Sequence, residues 1–500
     1  MNRTVGVGAV LAMNLMSAAS TPAQTTAGST SAHSADPPLT AFFAAASTDD
    51  RAARAALQEI GSKWRTGYVP MLVDLARLLP SPRRRSTGAD RIDLSGDTAT
   101  DMRSPGREMT GPMPSPPGAA ARRRLTAFLE RQTGQRYGDD LRAWRRWMWS
   151  QPDRPHPEYA RFKGVLYSRL DPRFADFFPD GVRSVIRLDE IDWGGVTVDG
   201  IPPLRSPRTI PAADASWLRD SHVVFGVVVD GAARAYPKRI LAWHEMALDR
   251  LGGIDLTIVY CTLCGTVIPY ESALGGRHFT FGTSGLLYRS NKMMFDEQTR
   301  SLWSALEGRP VVGPLAGSGL QLALRPVVTT TWGAWRREHP GTTVLSLETG
   351  YRRDYSEGAA YREYFATDRL MFEVSAADDR LKNKAEVLVI RPELIGAGAR
   401  PVAISVDLLR RQPVFSVDAG GRQFVVITSR DGANRIYDRG DSTFLVREGD
   451  GRVRDSRGVR WRAAADALIS ETGERRRAVP AHRAFWFGWY AQHPDTVLHR

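Results

Sequence analysis

The feature that most constrains this chain is a pair of cysteines between two short runs of β-branched and aromatic residues. Cys261 and Cys264 are the two cysteines of the sequence, and Gly265 follows the second at once. The flanking runs at 256–260 and 266–270 predict a β-hairpin with both thiols at its tip. Thioredoxin-type oxidoreductases instead place the first cysteine at a helix N-terminus, and Pro269 opposes a helix here.

A Cys-x-x-Cys hairpin has three interpretations, which the sequence leaves open. The two sulfurs can converge on one metal ion, as in a zinc knuckle, with the glycine taking the positive φ that the turn needs. They can form a structural disulfide, or they can cycle between dithiol and disulfide as a redox catalyst. Of these three interpretations, we expect metal binding ahead of the other two. Two cysteines supply only half of a tetrahedral site, so further ligands must come from elsewhere in the chain.

Nearby side chains provide candidates for those ligands. His244 is the leading third ligand, because imidazole suits both zinc and copper. Met294, with Met293 beside it, offers thioether sulfur, a soft ligand that favours copper(I). Glu245 could orient the histidine as an acceptor for its second ring nitrogen. The structural alternatives are a satisfied core histidine, two core methionines and a solvated carboxylate.

Charge and the N-terminal sequence bear on partners and location. The formal net charge is +13, and arginine triplets at 83–85, 122–124 and 475–477 carry no nucleic-acid motif around them. We expect no nucleic-acid partner and a solvated basic surface suited to an anionic envelope. Arg3, an apolar stretch at 5–16 and small residues up to Ala23 have the order of a secretory signal. The sequence thus predicts an exported protein, periplasmic or extracellular, with no transmembrane span.

Composition along the chain predicts its organisation. A signal peptide at 1–23 is followed by a Ser/Thr/Ala/Pro-rich flexible linker at 24–48. Apolar residues at helical spacing predict a helical region at 49–150, capped at Asp49 or Asp50, with a disordered insertion near 81–119. From residue 187 onward, short alternating runs broken by glycine and proline are typical of β-structure.

An internal repeat divides the β-rich part. The motif Trp-x-x-Trp-x-x-x-His-Pro occurs at 332–340 and again at 486–494, and Gly-x-x-x-x-Tyr occurs at 265–270 and 432–437. The offset of the Gly/Tyr motif, 432 − 265 = 167 residues, places Thr428 opposite Cys261 and Asp431 opposite Cys264. We therefore predict an α+β fold in which the helical region precedes a duplicated, mainly antiparallel β domain. The first copy (187–350) holds the cysteines and the second copy (385–500) lacks them.

Several motifs together resemble a known family, the exported bacterial and archaeal proteins named domain of unknown function 3179. The resemblance covers about residues 192–500, and the family usually has proline after the first cysteine, where this chain has Thr262. The resemblance implies the fold boundaries and export of the protein, and it implies no particular chemistry. The motifs are Ala235-Tyr-Pro-Lys-Arg-Ile-Leu-Ala-Trp-His-Glu245, Tyr260-Cys-Thr-Leu-Cys-Gly265, Phe281-Gly-Thr-Ser-Gly285, Met294-Phe-Asp-Glu-Gln-Thr299, Ser301-Leu-Trp303 and Gly313-Pro-Leu315.

The functional prediction is an exported protein that binds copper or zinc, copper(I) ahead, through Cys261, Cys264, His244 and Met294. Its partner would be an unknown protein or a donor or acceptor of the metal. One alternative is a thiol-disulfide oxidoreductase that uses the same cysteines. Another is a non-catalytic envelope scaffold or binding module with a structural disulfide. Whether the protein is an enzyme stays open at this point.

The signal pattern gives a direct prediction. We expect the mature N-terminus to lie between about Ala19 and Thr26, because signal peptidases cleave after the small residues that end such a pattern. Intact-mass measurement on protein isolated from the cell envelope tests this. Retention of Met1 in that material would contradict it.

Overall fold

The computed structural model describes residues 36–79, 118–449 and 451–500. The predicted signal peptide, and all but the last two residues of the predicted insertion, lie outside these ranges. From Pro37 onward the chain forms one unit, so the helical region and both β-rich copies share a single body. Within the described ranges, no helix is both long enough and apolar enough to cross a membrane.

The helical region extends further at both ends than the predicted 49–150. Asp49 and Asp140 cap two of the helices, because each carboxylate accepts hydrogen bonds from two backbone N–H groups of the first turn. The first helix falls in the stretch predicted as a linker. Its Phe42 is fully buried, so this part of the stretch is a packed helix and not a flexible linker. The helices are α1 (Leu39–Ala45), α2 (Asp50–Ser62), α3 (Val69–Leu78), α4 (Ala119–Thr133), α5 (Leu141–Ser150) and α6 (Tyr159–Ser168).

Buried ion pairs fasten these helices to the first β-strand that follows them. Arg77 donates to Asp192 at 2.6 Å, and Arg145 pairs with the other oxygen of the same carboxylate. Burial opposes ionisation of Asp192, but the two guanidiniums hold its pKa below the usual value. Lys163 pairs with the equally buried Asp74 at 3.0 Å. The two pairs to Asp192 fix the helical region on the β-rich part, and the Lys163–Asp74 pair joins α6 to α3 within the helical region.

The first copy consists of short strands and two short helices. Its elements are β1 (Ile191–Trp193), β2 (Leu204–Arg205), β3 (Thr209–Pro211), β4 (Val223–Val229), β5 (Ala232–Pro237), α7 (Lys238–His244), β6 (Met246–Leu251), β7 (Ile254–Cys261), β8 (Thr266–Glu271), β9 (Ala273–Leu274), β10 (Arg277–His278), β11 (Phe281–Tyr288), β12 (Asn291–Asp296), β13 (Leu302–Ser304), β14 (Arg309–Val312), β15 (Val328–Thr331), α8 (Trp332–Glu338) and β16 (Thr343–Leu345).

The second copy follows an irregular stretch, residues 351–384, which we term the inter-copy segment and which contains α9 (Arg362–Phe365). The elements of the second copy are β17 (Glu386–Ile390), α10 (Pro392–Ile395), β18 (Val402–Ser405), α11 (Val406–Arg411), β19 (Val414–Ala419), β20 (Arg422–Thr428), β21 (Asn434–Asp438), β22 (Phe444–Arg447), β23 (Val453–Asp455), β24 (Arg460–Ala463), β25 (Ala467–Ser470), β26 (Arg475–Val479), β27 (His482–Phe485), α12 (Trp486–Tyr490) and β28 (Val497–His499).

Strand pairing confirms the predicted duplication. One sheet of the first copy has the order β15-β4-β5-β16-β3, and one sheet of the second has the order β27-β17-β18-β28. In both, the two central strands are antiparallel and the strand after them is parallel, β16 on β5 and β28 on β18. A three-stranded antiparallel meander also recurs, as β6-β7-β8 and β19-β20-β21. The fold is therefore α+β with a duplicated, mainly antiparallel domain.

The repeated Trp-His motif forms the same corner in both copies. Trp335 donates its indole N–H to Thr342 at 2.9 Å, and Trp489 donates to Thr496 at 2.9 Å. In each copy the motif histidine packs against this tryptophan with ring centres 4.2 Å apart. Both tryptophans are fully buried. The shared motif is thus a folding element.

Large-to-small changes at these corners should destabilise the folded protein. We expect Trp335→Ala and Trp489→Ala each to lower the free energy of unfolding by about 3–5 kcal/mol, because each leaves a cavity and removes the hydrogen bond from the indole N–H to the threonine hydroxyl. Trp147→Ala, at a half-buried position of α5, is the control and should cost less. Chemical denaturation measures all three. Losses at both corners no larger than that of the control would contradict equivalent buried corners.

Candidate functional site

The hairpin expected around the cysteines is present. Strands β7 and β8 pair in antiparallel register from Leu256 opposite Glu271 to Cys261 opposite Thr266. Gly265 closes the turn with a φ of 62°, a conformation that favours glycine. A Cβ at this position would also lie 2.9 Å from the ring of Phe485. Backbone conformation and close packing therefore both require glycine after the second cysteine.

Both cysteines are free thiols, and both are buried. The two thiols belong to one turn, and the Cys264 sulfur is 3.3 Å from the backbone carbonyl of Ser290. Burial raises the pKa of Cys264 well above its usual value, and the neighbouring Cys261 and Glu245 add to this effect. Cys264 therefore rests as a neutral thiol beside Cys261.

A buried ion pair stands beside the thiols. The Lys292 ammonium, on β12, lies 3.2 Å from the Glu245 carboxylate and donates to the Glu245 backbone carbonyl at 3.0 Å. Burial lowers the pKa of Lys292, while Glu245 and, more weakly, Cys261 oppose that change. Glu245 ends α7 in the left-handed conformation, with a φ of 54°. The cluster thus places one ammonium and one carboxylate within electrostatic range of the sulfurs.

The second copy encloses the cysteine turn. Phe485 donates its backbone N–H to the carbonyl of Cys264 at 2.7 Å. Gly488 lies in α12, where a Cβ would come within 3.1 Å of the Cys264 Cβ. The carbonyl of Gly488 also accepts a hydrogen bond from the Asn291 side chain at 2.8 Å. The site is therefore built at the contact between the copies, although only the first copy supplies thiols.

Tyrosines of the inter-copy segment cover the other side of the turn. Tyr361 donates its hydroxyl to the Glu245 carboxylate at 3.2 Å, and Tyr364 donates to the carbonyl of Leu263 at 2.8 Å. Lys384 bonds the backbone carbonyl of Tyr364, with its ammonium 3.4 Å from the centre of that ring. This segment restricts access to the sulfurs.

A small cavity adjoins the first cysteine. Its volume is about 10 Å³, room for roughly one water molecule. Cys261, Asn291 and Lys292 supply polar groups to its wall, and Val259 and Leu306 supply apolar ones. Cys261 thus faces the cavity and the ammonium, whereas Cys264 faces the second copy.

The other two predicted metal ligands have structural surroundings of their own. His244 is fully buried; its Nδ1 donates to the carbonyl of Pro202 at 2.9 Å, and its Nε2 accepts from the Tyr355 hydroxyl at 2.6 Å. Burial lowers the pKa of His244 to about 4. Met294 is buried in a core cluster with Trp303, while the cysteines belong to a neighbouring cluster. Across the described part of the chain, no three His, Cys, Asp or Glu side chains gather as a metal site.

Two of the arginine triplets in the described ranges take part in the fold. Arg124 pairs with Asp50, and Arg475 and Arg476 pair with Asp466 and Glu474. These side chains are held by nearby carboxylates. Part of the positive charge counted in the sequence is therefore locally neutralised.

Fold and site together define a class: a duplicated α+β protein with one enclosed dithiol between its copies. The family described as Protein of unknown function (DUF3179) matches residues 198–496, more than half of the chain. The chain belongs to this family, as its motifs indicated. Comparison with curated proteins gave no match, nor did comparison with solved structures.

Sequence reasoning missed most of what surrounds the thiols. Lys292, Tyr361 and Phe485 come from three separate elements, and none carries a motif that points to the cysteines. Glu245 carries one usable signal for the site, although its place beside His244 in the sequence indicates it only as a partner for that histidine. Lys292, directly before the apolar run Met293-Met294-Phe295, is the other, because a charged residue in a buried strand needs a buried partner.

The tyrosine cover gives a testable prediction. We expect Tyr361→Phe and Tyr364→Phe each to raise the rate of alkylation of the native cysteines by about fivefold, because each removes one hydrogen bond that opposes local opening. Iodoacetamide labelling followed by mass spectrometry measures the rate. Tyr490→Phe is the control, since the Tyr490 hydroxyl makes no hydrogen bond within the described residues. Labelling unchanged by both variants would show that this segment does not control access.

Proposed function

We propose that Cys261 and Cys264 form a redox-active dithiol and that the protein is a thiol-disulfide oxidoreductase. The observation that carries the proposal is the placement of two buried, free thiols in one turn, with the buried Lys292 ammonium beside them. A disulfide needs two sulfurs in contact and nothing else from the chain. The location proposed for this activity is outside the cytoplasm, where disulfides persist.

Burial favours redox exchange over metal binding. A dithiol and a disulfide are both neutral, so either form suits an enclosed site. A metal site would need both sulfurs as thiolates, and the raised pKa of Cys264 makes that state costly. The enclosed surroundings therefore support the redox function ahead of the metal site expected from the sequence.

The geometry suggests different roles for the two cysteines. Cys261 faces the small cavity and Lys292, and a nearby ammonium stabilises negative charge that develops on a sulfur. Its thiolate attacks a substrate disulfide, forming a mixed disulfide and releasing one thiolate that takes up a proton. Cys264 then attacks the Cys261 sulfur, and the second substrate thiolate leaves with the Cys264 proton. The substrate disulfide is reduced to two thiols, and the protein dithiol is oxidised to one disulfide.

Lys292 and Glu245 are positioning residues in this proposal. The carboxylate holds the ammonium at the site through the 3.2 Å ion pair. The ammonium, in turn, offsets negative charge on the Cys261 sulfur only while the inter-copy segment excludes water, since charge interactions weaken in a high dielectric. Opening of the inter-copy segment admits the substrate, and its closure restores the dry site.

Copper(I) binding is the second candidate function. Zinc needs four ligands, and the thiols are the two that the described residues bring together. Copper(I) forms linear complexes with two thiolates, a soft ligand set that it prefers. Such a complex carries a negative charge, which Lys292 could offset. His244 and Met294 would need to leave their present hydrogen bonds and packing to join it.

Single substitutions separate the roles of the two cysteines. With oxidised glutathione as substrate, we expect Cys261→Ser to abolish mixed-disulfide formation. Cys264→Ser should trap the mixed disulfide on Cys261, because no resolving thiol remains. Lys292→Met should slow the first step by about tenfold through loss of the nearby charge. Lys382→Met, an exposed lysine, is the control and should leave the rate unchanged. Stopped-flow kinetics and mass spectrometry give both readouts.

The same samples test copper binding. Reduced protein is mixed with a copper(I) complex, desalted and analysed for bound metal. Retention of one copper per chain, lost in both cysteine variants alike and combined with inert thiols in the glutathione assay, would favour the second candidate. Thiols that neither exchange with glutathione nor retain copper would contradict both functions.

A further inference from the structure

A surface cleft of the first copy lies apart from the dithiol cavity. Its volume is about 620 Å³, the range of small-molecule sites. One wall is the loop before β4, with Trp217, Arg219 and His222, and α7 contributes Arg239. The opposite wall is the start of the inter-copy segment, residues 353–357.

Three guanidinium groups line this cleft. Arg239 is largely buried, donates to the carbonyl of Trp217 at 3.3 Å and lies 5.9 Å from the Trp217 ring centre. Arg219 is exposed, and its side chain has no hydrogen-bond or ion-pair partner among the described residues. Arg353, from the opposite wall, is half-buried. The cleft therefore presents positive charge next to an aromatic surface.

The carboxylates of the cleft are already engaged. Glu357 pairs with Arg239 at 3.3 Å, and Asp354 accepts a hydrogen bond from the backbone N–H of Ser356 at 2.9 Å. Three arginines thus face two carboxylates that have local partners. An excess of positive charge is left within the cleft.

The pKa of the neighbouring His222 imidazole reflects the same positive charge. Burial lowers the pKa of His222, and the charges of Arg239 and Arg219 lower it further, with Glu357 opposing them. A field that disfavours a protonated imidazole favours a bound anion. Guanidinium groups match the planar, two-oxygen geometry of carboxylates and phosphates.

We propose that this cleft binds a small organic oxyanion, a carboxylate or a phosphate, through Arg239 and Arg219, with the apolar part of the ligand against Trp217. The aromatic wall selects for a ligand with an apolar group and the arginines select for its charge. This inference does not rest on the redox function of the dithiol.

Calorimetric titration of the full chain tests the site. The probes are benzoate, phenyl phosphate and inorganic phosphate, which separate carboxylate from phosphate and measure the contribution of the apolar group. We expect one of the aromatic anions to bind more tightly than inorganic phosphate. Arg239→Gln and Arg219→Gln should each weaken that binding by about tenfold, the loss of one charged hydrogen bond.

One control variant tests whether the effect is specific to the cleft, and a second cleft variant guards against loss of folding. Arg410→Gln removes the same charge from an exposed position of α11 in the second copy and should leave binding unchanged. Arg219→Gln alters an exposed side chain, so it serves if Arg239→Gln fails to fold. Absence of binding by all three probes at millimolar concentration would overturn the proposal. So would binding that neither cleft variant weakens, or that the control weakens equally.

Discussion

The hydrogen bond from the Phe485 backbone N–H to the Cys264 carbonyl is the interaction on which the site depends. It is 2.7 Å long and joins the last strand before α12 to the turn that carries the thiols. Because the bond is made by the backbone of the second copy, the cysteine turn is completed by a part of the chain more than 200 residues away. The second copy has no cysteines of its own but supplies a wall of the first copy's site.

The second copy thus determines how far the thiols of the first copy are enclosed. A hairpin tip is ordinarily exposed, and exposed thiols are open to oxidation and metal capture. Here α12 packs on Cys264 so closely that a Cβ at Gly488 would lie only 3.1 Å from the Cys264 Cβ. The inter-copy segment closes the other side with two tyrosine hydroxyl bonds. Enclosure converts a common surface motif into a site whose chemistry is set by burial.

Local patterns in the sequence predicted the elements but not the neighbours of the thiols. The hairpin, the Asp49 cap and the duplicated Trp-His corners follow from short-range spacing, and the structure contains all three. The surroundings of His244 could not be read in this way, because Tyr355 lies more than 100 residues further along the chain. Lys292 was missed for the same reason: its partner Glu245 reaches it through tertiary packing alone.

The central claim is that the two thiols interconvert with a disulfide without dismantling the fold. Equilibration of the native protein in glutathione buffers of graded potential, followed by acid quenching, alkylation and mass spectrometry, tests it most directly. We expect one reversible two-electron transition, with a disulfide that joins Cys261 to Cys264 and with native circular dichroism on both sides. Thiols that stay reduced at every potential, or a disulfide that forms only as the protein unfolds, would contradict a redox function for this pair.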